Sequence, residues 1–447
     1  MLAVLLATFA AIPIGSDLQL FVDDYLIEQL DGVRLELHHP APQEIAIPLD
    51  KPWEGKDCAY VTVFKDGDRY RCYYRGLPDE SAPEVACTAE SADGIHWTKP
   101  ELELYPVAGA TMSNVVWVDK GAHNFAPFLD SNPGATPETK YKAVGGAPLL
   151  AFVSPDGYHW KPLQAEPILT DGKFDSHNIA FWHPVNRRYE CFFRDFRDGV
   201  RTIKRSYSDD FVHWSAPEWL DFGNAPADHL YTNSIIPYFR SPGLYLGFPK
   251  RFNPTRSFCP DWPGGPGVSD GVFMTSRDGV RWHRWREAFI RPGLDPNNWN
   301  ERNIQIAWGM FELSPGEISL YYLEHYRHPT CRIRRATIRT DGFVSLSADA
   351  VEGFVVTKSL EFRGNQLVLN VSTSGIGYVR CEIQDTGGNA IPGFSLQDSD
   401  EIFGDAIERV LTWGGKNDVS TLSGKPICLK FTLMDADLYA VAFRSNP

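Results

Sequence analysis

A seven-residue phrase recurs along this chain and constrains its fold more than any other feature. It reads Ser91-Ala92-Asp93-Gly94-Ile95-His96-Trp97, and returns from Ser154 to Trp160, from Ser208 to Trp214 and from Ser276 to Trp282. A worn fifth copy ends at Thr340-Asp341-Gly342-Phe343. The closing Trp residues of the four full copies stand 63, 54 and 68 positions apart. Self-similarity at such a period marks a repeat architecture.

Each phrase has the chemistry of a tight hairpin. Asp-Gly supplies the turn, because Gly accepts positive φ and Asp hydrogen-bonds its own backbone. The Ser caps the turn and the Trp anchors the outgoing strand. A unit of this length holds about four strands of roughly 5–6 residues plus loops. In the first unit Cys58 to Phe64, Arg69 to Arg75 and Glu84 to Ser91 read as strands, bounded by turn residues. In the third, Ile179 to His183, Arg188 to Arg194 and Arg201 to Ser208 repeat the plan. No long amphipathic helix interrupts them. Five four-stranded units in a row predict an all-β fold, a five-bladed β-propeller over residues 57–350.

From about Glu352 alternating strands with Gly and Asn turns predict a separate C-terminal β-sandwich over 351–447. Residues 17–56 read as an N-terminal strand, Leu18 to Ile27, followed by a Pro-rich linker. Residues 1–16 read as a signal peptide, because the apolar run Leu2 to Ile14 is too short to span a bilayer. Its cleavage is expected near Ala10–Ala11 or before Ser16, and the protein is expected to be secreted or periplasmic.

The formal net charge of −14 argues against nucleic acid or an anionic membrane as partner. Thirteen Trp and 18 Tyr suit carbohydrate recognition and a large β core equally. The eight Cys show no CxxC spacing and read as small buried hydrophobes. One disulfide among Cys58, Cys72 and Cys87 stays open for an exported protein.

In a propeller the first strand of every blade lines the axis, and all five run the same way. Residues at one offset therefore form a ring. Those leading into the five inner strands are Asp57, Asn124, Asn178, Asn233 and Asn303. Asn at such places can simply satisfy loop backbone groups. Alternatively the ring is functional, with Asp57 its one ionisable member. The preceding loops add His123, Asp175 with His177, Asp228 with His229, and Glu301 with Arg302. The second strands return to the same mouth and end at Arg75, Gly145-Gly146, Arg194-Asp195, Lys250-Arg251 and Glu324-His325. Charges at equivalent offsets in every repeat point to a pocket.

Convergent carboxylates suit glycoside hydrolysis, in which one acts as nucleophile or base and another protonates the leaving oxygen. Asp57 is assigned nucleophile or base, Glu301 general acid and Asp175 an orienting role. The candidate substrate-binding set is Arg75, Asn124, Asn178, Arg194, Asp195, His229, Asn233, Arg302, Asn303 and Glu324, with Asp195 and Glu324 also held as reserve carboxylates. Trp53, Trp117 and Trp299 are candidates for stacking on sugar faces, whereas Trp182 and Trp308 fall in inner strands and read as core.

A propeller with the phrase Ser-x-Asp-Gly-x-x-Trp, followed by a sandwich, resembles glycoside hydrolase families 32 and 43. The resemblance implies an Asp nucleophile or base at the start of the first inner strand, which Asp57 matches. It also implies a second Asp from a neighbouring blade and a Glu acid from a later one. The chain departs from the family 32 pattern as a divergent member. It carries Lys56-Asp57-Cys58 in place of Asn-Asp-Pro-Asn, Arg194-Asp195-Phe196 on the third blade, and Glu190-Cys191 in mid-strand. Resemblance to family 117 implies instead a His acid, from His177 or His229.

Two other readings compete. A sialidase-like enzyme would draw its arginines from Arg75, Arg194, Arg251 and Arg302. A non-catalytic carbohydrate-binding propeller would use the same ring to cradle a sugar. No cofactor is expected. A structural Ca²⁺ on the axis would suit Asn carbonyls and one Asp better than Zn²⁺ would.

Overall fold

The computed structural model describes residues 10–78, 81–258 and 265–445. The chain divides into two compact units, His39–Ile338 and a second built from both termini, Met1–His38 with Arg339–Pro447.

The first unit is a five-bladed β-propeller. Blade 1 consists of Ala59–Asp66, Arg69–Gly76, Val85–Ser91 and Trp97–Thr98, with Val115–Val118 also paired to its third strand. Blade 2 is Ala126–Leu129, Tyr141–Gly145, Leu150–Ser154 and Lys161–Pro162. Blade 3 is Ile179–His183, Arg188–Arg197, Val200–Ser208 and Glu218–Trp219. Blade 4 is Ile236–Tyr238, Ser241–Gly247, Val268–Ser276 and His283–Ile290, its third strand also pairing Lys250–Asn253. The strands alternate apolar residues into a core shared between blades, where Phe125, Phe128, Phe152, Phe192 and Trp282 are buried.

Blade 5 departs from the expected plan. Gln305–Ser314, Glu317–Glu324 and Arg332–Arg339 form three strands, and the fourth comes from far upstream, Ala41–Pro48. The segment expected to be a linker therefore closes the ring. The worn fifth phrase makes no blade hairpin. Its outgoing strand, Val344–Ala348, pairs with Val33–Leu37 and with the C-terminal strand of the second unit. The inner strands of blades 5 and 1 also touch in parallel at Trp308 and Thr62. Gly309 permits this approach, since a Cβ there would stand 1.9 Å from the Val63 carbonyl oxygen.

The repeated phrase is a hairpin between the third and fourth strands, held by the same bonds in all four full copies. In the first, Ser91 Oγ accepts from the amides of Asp93 and Gly94, at 3.2 and 2.8 Å. Asp93 Oδ1 accepts from the amides of Ile95 and His96, both at 2.8 Å. The Trp97 indole donates back to the Gly94 carbonyl at 3.1 Å. Ser154, Asp156 and Trp160, then Ser208, Asp210 and Trp214, then Ser276, Asp278 and Trp282, do likewise.

The second unit is built on two long antiparallel strands, Gln366–Gln384 and Pro426–Arg444, around a core that includes Leu369, Ile383, Phe431 and Phe443. N-terminal residues belong to it. Gln19–Leu20 pairs with the last strand, and Ile12–Gly15 pairs in parallel with Leu360–Phe362. Cleavage before Ser16 would remove that strand, whereas cleavage near Ala10–Ala11 would leave it. Residues 1–9 lie outside the described residues.

Cys58, Cys72 and Cys87 are free buried thiols, so the disulfide left open among them does not form. No helix among the described residues is long and apolar enough to cross a membrane.

Candidate functional site

One network at the mouth of the propeller joins the three carboxylates expected to carry chemistry. Arg327 follows the second strand of blade 5, and its Nε donates to Asp57 Oδ1 at 3.1 Å. Its Nη1 lies 3.0 Å from Glu301 Oε1, an ion-pair distance without hydrogen-bond alignment. One guanidinium thus spans Asp57 of blade 1 and Glu301 of the loop entering blade 5. Arg75, at the end of the second strand of blade 1, donates to the Asp57 carbonyl at 2.8 Å. Its Nη1 reaches toward Glu84 at 3.6 Å.

His123 links this floor to Asp175. Its Nδ1 donates to Glu84 at 2.7 Å and its Nε2 to Asp175 at 2.7 Å. Burial opposes a charge on this ring, but the two carboxylates outweigh burial and raise its pKa. The bond from His123, with Arg194 and Arg302 nearby, holds Asp175 well below the ordinary carboxylate range. The Asp175 side chain is 61 % exposed, against 3 % for Asp57 and 8 % for Glu301. Asp175 is therefore open to solvent and held ionised, while Asp57 and Glu301 lie at the floor.

Three tyrosines frame the floor. The Tyr60 ring lies under the Arg75 guanidinium at 4.9 Å and beside His123 at 5.5 Å. Tyr326 accepts from Arg302 at 3.1 Å. Tyr231 is ringed by Lys250, Arg194 and Arg201, at 4.4, 5.0 and 5.1 Å from its centroid. Tyr60, Ser234 and Ile304 all sit at the start of inner strands with φ of 61, 40 and 52°. Such conformations cost about 1–3 kcal/mol each and gather where the surrounding structure enforces a site.

The Asn ring is corrected. Asn124, Asn178, Asn233 and Asn303 are at most 1 % exposed, and their amides are committed to backbone groups. Asn124 accepts from the Gly146 amide at 2.5 Å, and Asn303 accepts from the Tyr326 amide at 2.7 Å. Asn178 donates to the Phe174 carbonyl at 2.8 Å and Asn233 to that of His177 at 3.2 Å. These bonds lock the loops and are made to backbone groups. Among the described residues no group of three or more His, Cys, Asp or Glu is placed to hold a metal ion.

The reserve carboxylates are also spent. Glu324 is buried and paired with Arg332 and Arg334 at 2.8 and 2.9 Å. Asp195 pairs with Lys204 at 2.8 Å. Both candidate His residues are held below the ordinary imidazole range. Burial and the charge of Lys250 push His177 down to about 3, and burial and Arg201 lower His229. His177 lies inside the tunnel, its Nε2 3.0 Å from Thr62 Oγ1. Arg251 is held by Asp270 through two bonds at 2.9 and 2.6 Å, which removes it from a sialidase-like set.

Trp53 and Trp308 are buried, with indoles bonded to Asn114 and to the Ile235 carbonyl. Trp117 packs against Phe125 and Phe152. Of the stacking candidates, Trp299 lines a cavity of about 760 Å³ with His229, Arg251 and Arg286. That cavity contains none of Asp57, Asp175 and Glu301. Residues 259–264 of the Pro- and Gly-rich insert, Trp262 among them, lie outside the described residues. Sequence offsets missed His123 with Glu84, Arg201, Lys250, Arg327 and the tyrosine frame as site residues. Position in the loops and strand ends placed several of them at the mouth, but nothing local distinguished them from solvated charge.

No protein-family model matches the sequence, and no curated protein does. Solved structures resemble the chain at low identity. One described as a glycoside hydrolase is 14 % identical, with 70 % of this chain and 94 % of that chain covered and a TM-score of 0.48. An alpha-L-arabinanase from Penicillium chrysogenum in complex with arabinobiose is 10 % identical, with 68 % and 99 % covered and a TM-score of 0.42. An N-acetylgalactosamine deacetylase from F. plautii in complex with blood group B trisaccharide is 13 % identical, with 70 % and 97 % covered and a TM-score of 0.46.

Proposed function

We propose that the protein is a glycoside hydrolase that cleaves an oligo- or polysaccharide at this mouth. The Arg327 bridge between Asp57 and Glu301 carries the reading. The two carboxyl groups of a glycosidase stand roughly 5–9.5 Å apart, a gap that one guanidinium spans. Asp57 is the nucleophile or base and Glu301 the proton donor, with Arg327 turning aside as the sugar enters. Asp175, open and ionised, orients the sugar through its hydroxyls. Arg75 fixes the backbone of Asp57, and Glu84 fixes His123, which keeps Asp175 charged.

The test is turnover of a panel of plant and algal oligosaccharides and aryl glycosides by wild type, Asp57→Asn, Glu301→Gln and Asp175→Asn. Wild type is expected to release sugar. Glu301→Gln is expected to lose about 10²–10⁴-fold on oligosaccharides, the usual worth of a general acid. It should keep much of its rate on aryl glycosides whose leaving groups need no proton. Asp57→Asn is expected to fail on both. Near-wild-type turnover by Asp57→Asn, with loss in Asp175→Asn, would transfer the nucleophile or base role to Asp175.

A second reading, a carbohydrate-binding propeller without turnover, draws support from the burial of Glu301. Both of its carboxyl oxygens are enclosed and lack a hydrogen-bond partner. Glycan binding by the wild type with no released sugar from any substrate would select it. Export behind the apolar segment Leu2 to Ile14 is part of the proposal, and N-terminal sequencing of the mature chain, expected to begin near Ala11, checks it.

A further inference from the structure

The mouth carries more positive charge than its carboxylates can balance, in a chain whose formal net charge is −14. Arg327 takes up Asp57 and Glu301, while His123, Arg75 and Arg194 face Glu84 and Asp175. Three further cations remain. Lys250, 2 % exposed, has no side-chain bond or ion pair among the described residues, and its ammonium rests 4.4 Å from the Tyr231 centroid. Arg201 faces the same ring, with Nε buried and, among the described residues, unpartnered and with no carboxylate within ion-pair reach. Arg302 bonds the Tyr326 hydroxyl and likewise pairs with no carboxylate among the described residues.

We infer that Lys250, Arg201 and Arg194, grouped around Tyr231, together with Arg302 at Tyr326, form a subsite for a negatively charged oxygen group, carried by the substrate sugar as a carboxylate, sulfate or phosphate ester. Burying unpaired cations is costly unless a counter-charge arrives. Burial and the charges of Arg302, Arg75 and Arg194 together push the Lys250 ammonium well below its ordinary pKa, a strain that an incoming anion relieves. Guanidinium forks match carboxylate and phosphate oxygens in geometry. There is room for flanking residues of an acidic chain. Arg201 Nη1 lies 3.4 Å from His229, which lines the 760 Å³ cavity with Arg251, Arg256, Arg286 and Trp299. The inference rests on the hydrolase reading only for the sugar, since the anion subsite itself requires no turnover.

Titration calorimetry on the full chain tests it with D-glucuronate, D-galacturonate, D-glucose, D-galactose, inorganic phosphate and sulfate. A uronate is expected to bind at least ten-fold tighter than its neutral parent sugar. Lys250→Met, nearly isosteric, is expected to abolish that preference while leaving the melting temperature unchanged or raised, and Arg201→Gln provides a second loss should the first fail to fold. Inorganic phosphate or sulfate binding tighter than both uronates, and lost in Lys250→Met, would keep the subsite and assign it to a free oxyanion. Equal binding of uronates and neutral sugars, unchanged by either variant, overturns the inference. Hydrolysis of neutral glycosides without competition by uronates also overturns it and leaves the hydrolase standing. Uronate binding with no turnover of any glycoside sinks the hydrolase and leaves the subsite.

Discussion

The Tyr73 hydroxyl, on the second strand of blade 1, donates to the carbonyl of Gly157 in the hairpin phrase of blade 2 at 2.9 Å. Tyr321 of blade 5 does the same for Gly94 of blade 1. In blade 4 the receiving carbonyl is that of Asp278, bonded by Arg205 of blade 3 at 2.7 Å. The phrase therefore does two things. Its Ser and Asp close a hairpin, and its turn presents a carbonyl to the neighbouring blade. Tyr73→Phe leaves the Gly157 carbonyl with the Trp160 indole as its remaining side-chain donor, so losing the bond costs about 0.5–1.5 kcal/mol. A lowered melting temperature in calorimetry, with the mouth chemistry unaltered, is the expected outcome. No change would mean the bond does not join the blades.

Phe211 holds the place that Gly takes in the other three full copies, and it does so at a φ of 68°. Its ring packs against Phe128, Tyr189 and Trp214, with centroids 5.1 to 5.7 Å away. Packing thus outweighs the left-handed strain. Phe211→Gly relieves the backbone but opens a cavity, and the loss of a buried aromatic side chain costs about 3–5 kcal/mol. Net destabilisation of about 2–4 kcal/mol is expected, read as a fall in melting temperature. A stabilised variant would show that strain, not packing, dominates at this turn.

The hairpin phrase was legible because its bonds run between residues at most a few positions apart, so Ser, Asp and Trp had to stand where they do. The Asn ring was legible in position and misleading in role. Its partners are backbone groups far along the chain, such as the Phe174 carbonyl, 50 residues from Asn124. The closing strand Ala41–Pro48 was hidden by its two prolines and by a partner almost 300 residues away. At the mouth, Asp57, Asp175 and Glu301 were singled out by their place at strand entries and in the loops before them, and one network joins them. Lys250 and Arg201 looked like ordinary strand-end charges, because burial without a counter-ion has no local signature.

Closure of the ring by blade 5 makes a sharp pair of variants. Ile47 is 2 % exposed, faces Ile333 across the strand pair and packs with Tyr321 and Leu323. Ile45, one bulge away, is 43 % exposed. Ile47→Ala is expected to cost about 2–4 kcal/mol, whereas Ile45→Ala falls within about 0.5 kcal/mol. Equal effects in thermal unfolding would argue that the upstream strand does not complete the blade.

His123 between Glu84 and Asp175 makes the mouth sensitive to pH from both sides. The pKa of His123 is raised on folding, so its contribution is complete below its unfolded value near 6.5 and fades as pH rises through the folded one. Those of Asp175 and Glu84 are lowered, so theirs is complete above unfolded values near 4 and fades as pH falls through the folded ones. All three contributions are therefore present together at about pH 5–6. The wild-type melting temperature is expected to decline from that window toward alkaline pH by more than that of His123→Gln. The imidazole proton resonances of His123 should titrate above the ordinary range in the wild type, and nearer to it in Asp175→Asn. A normal His123 titration in the wild type, with identical alkaline slopes for both proteins, would show that the ring does not carry the charge that keeps Asp175 ionised.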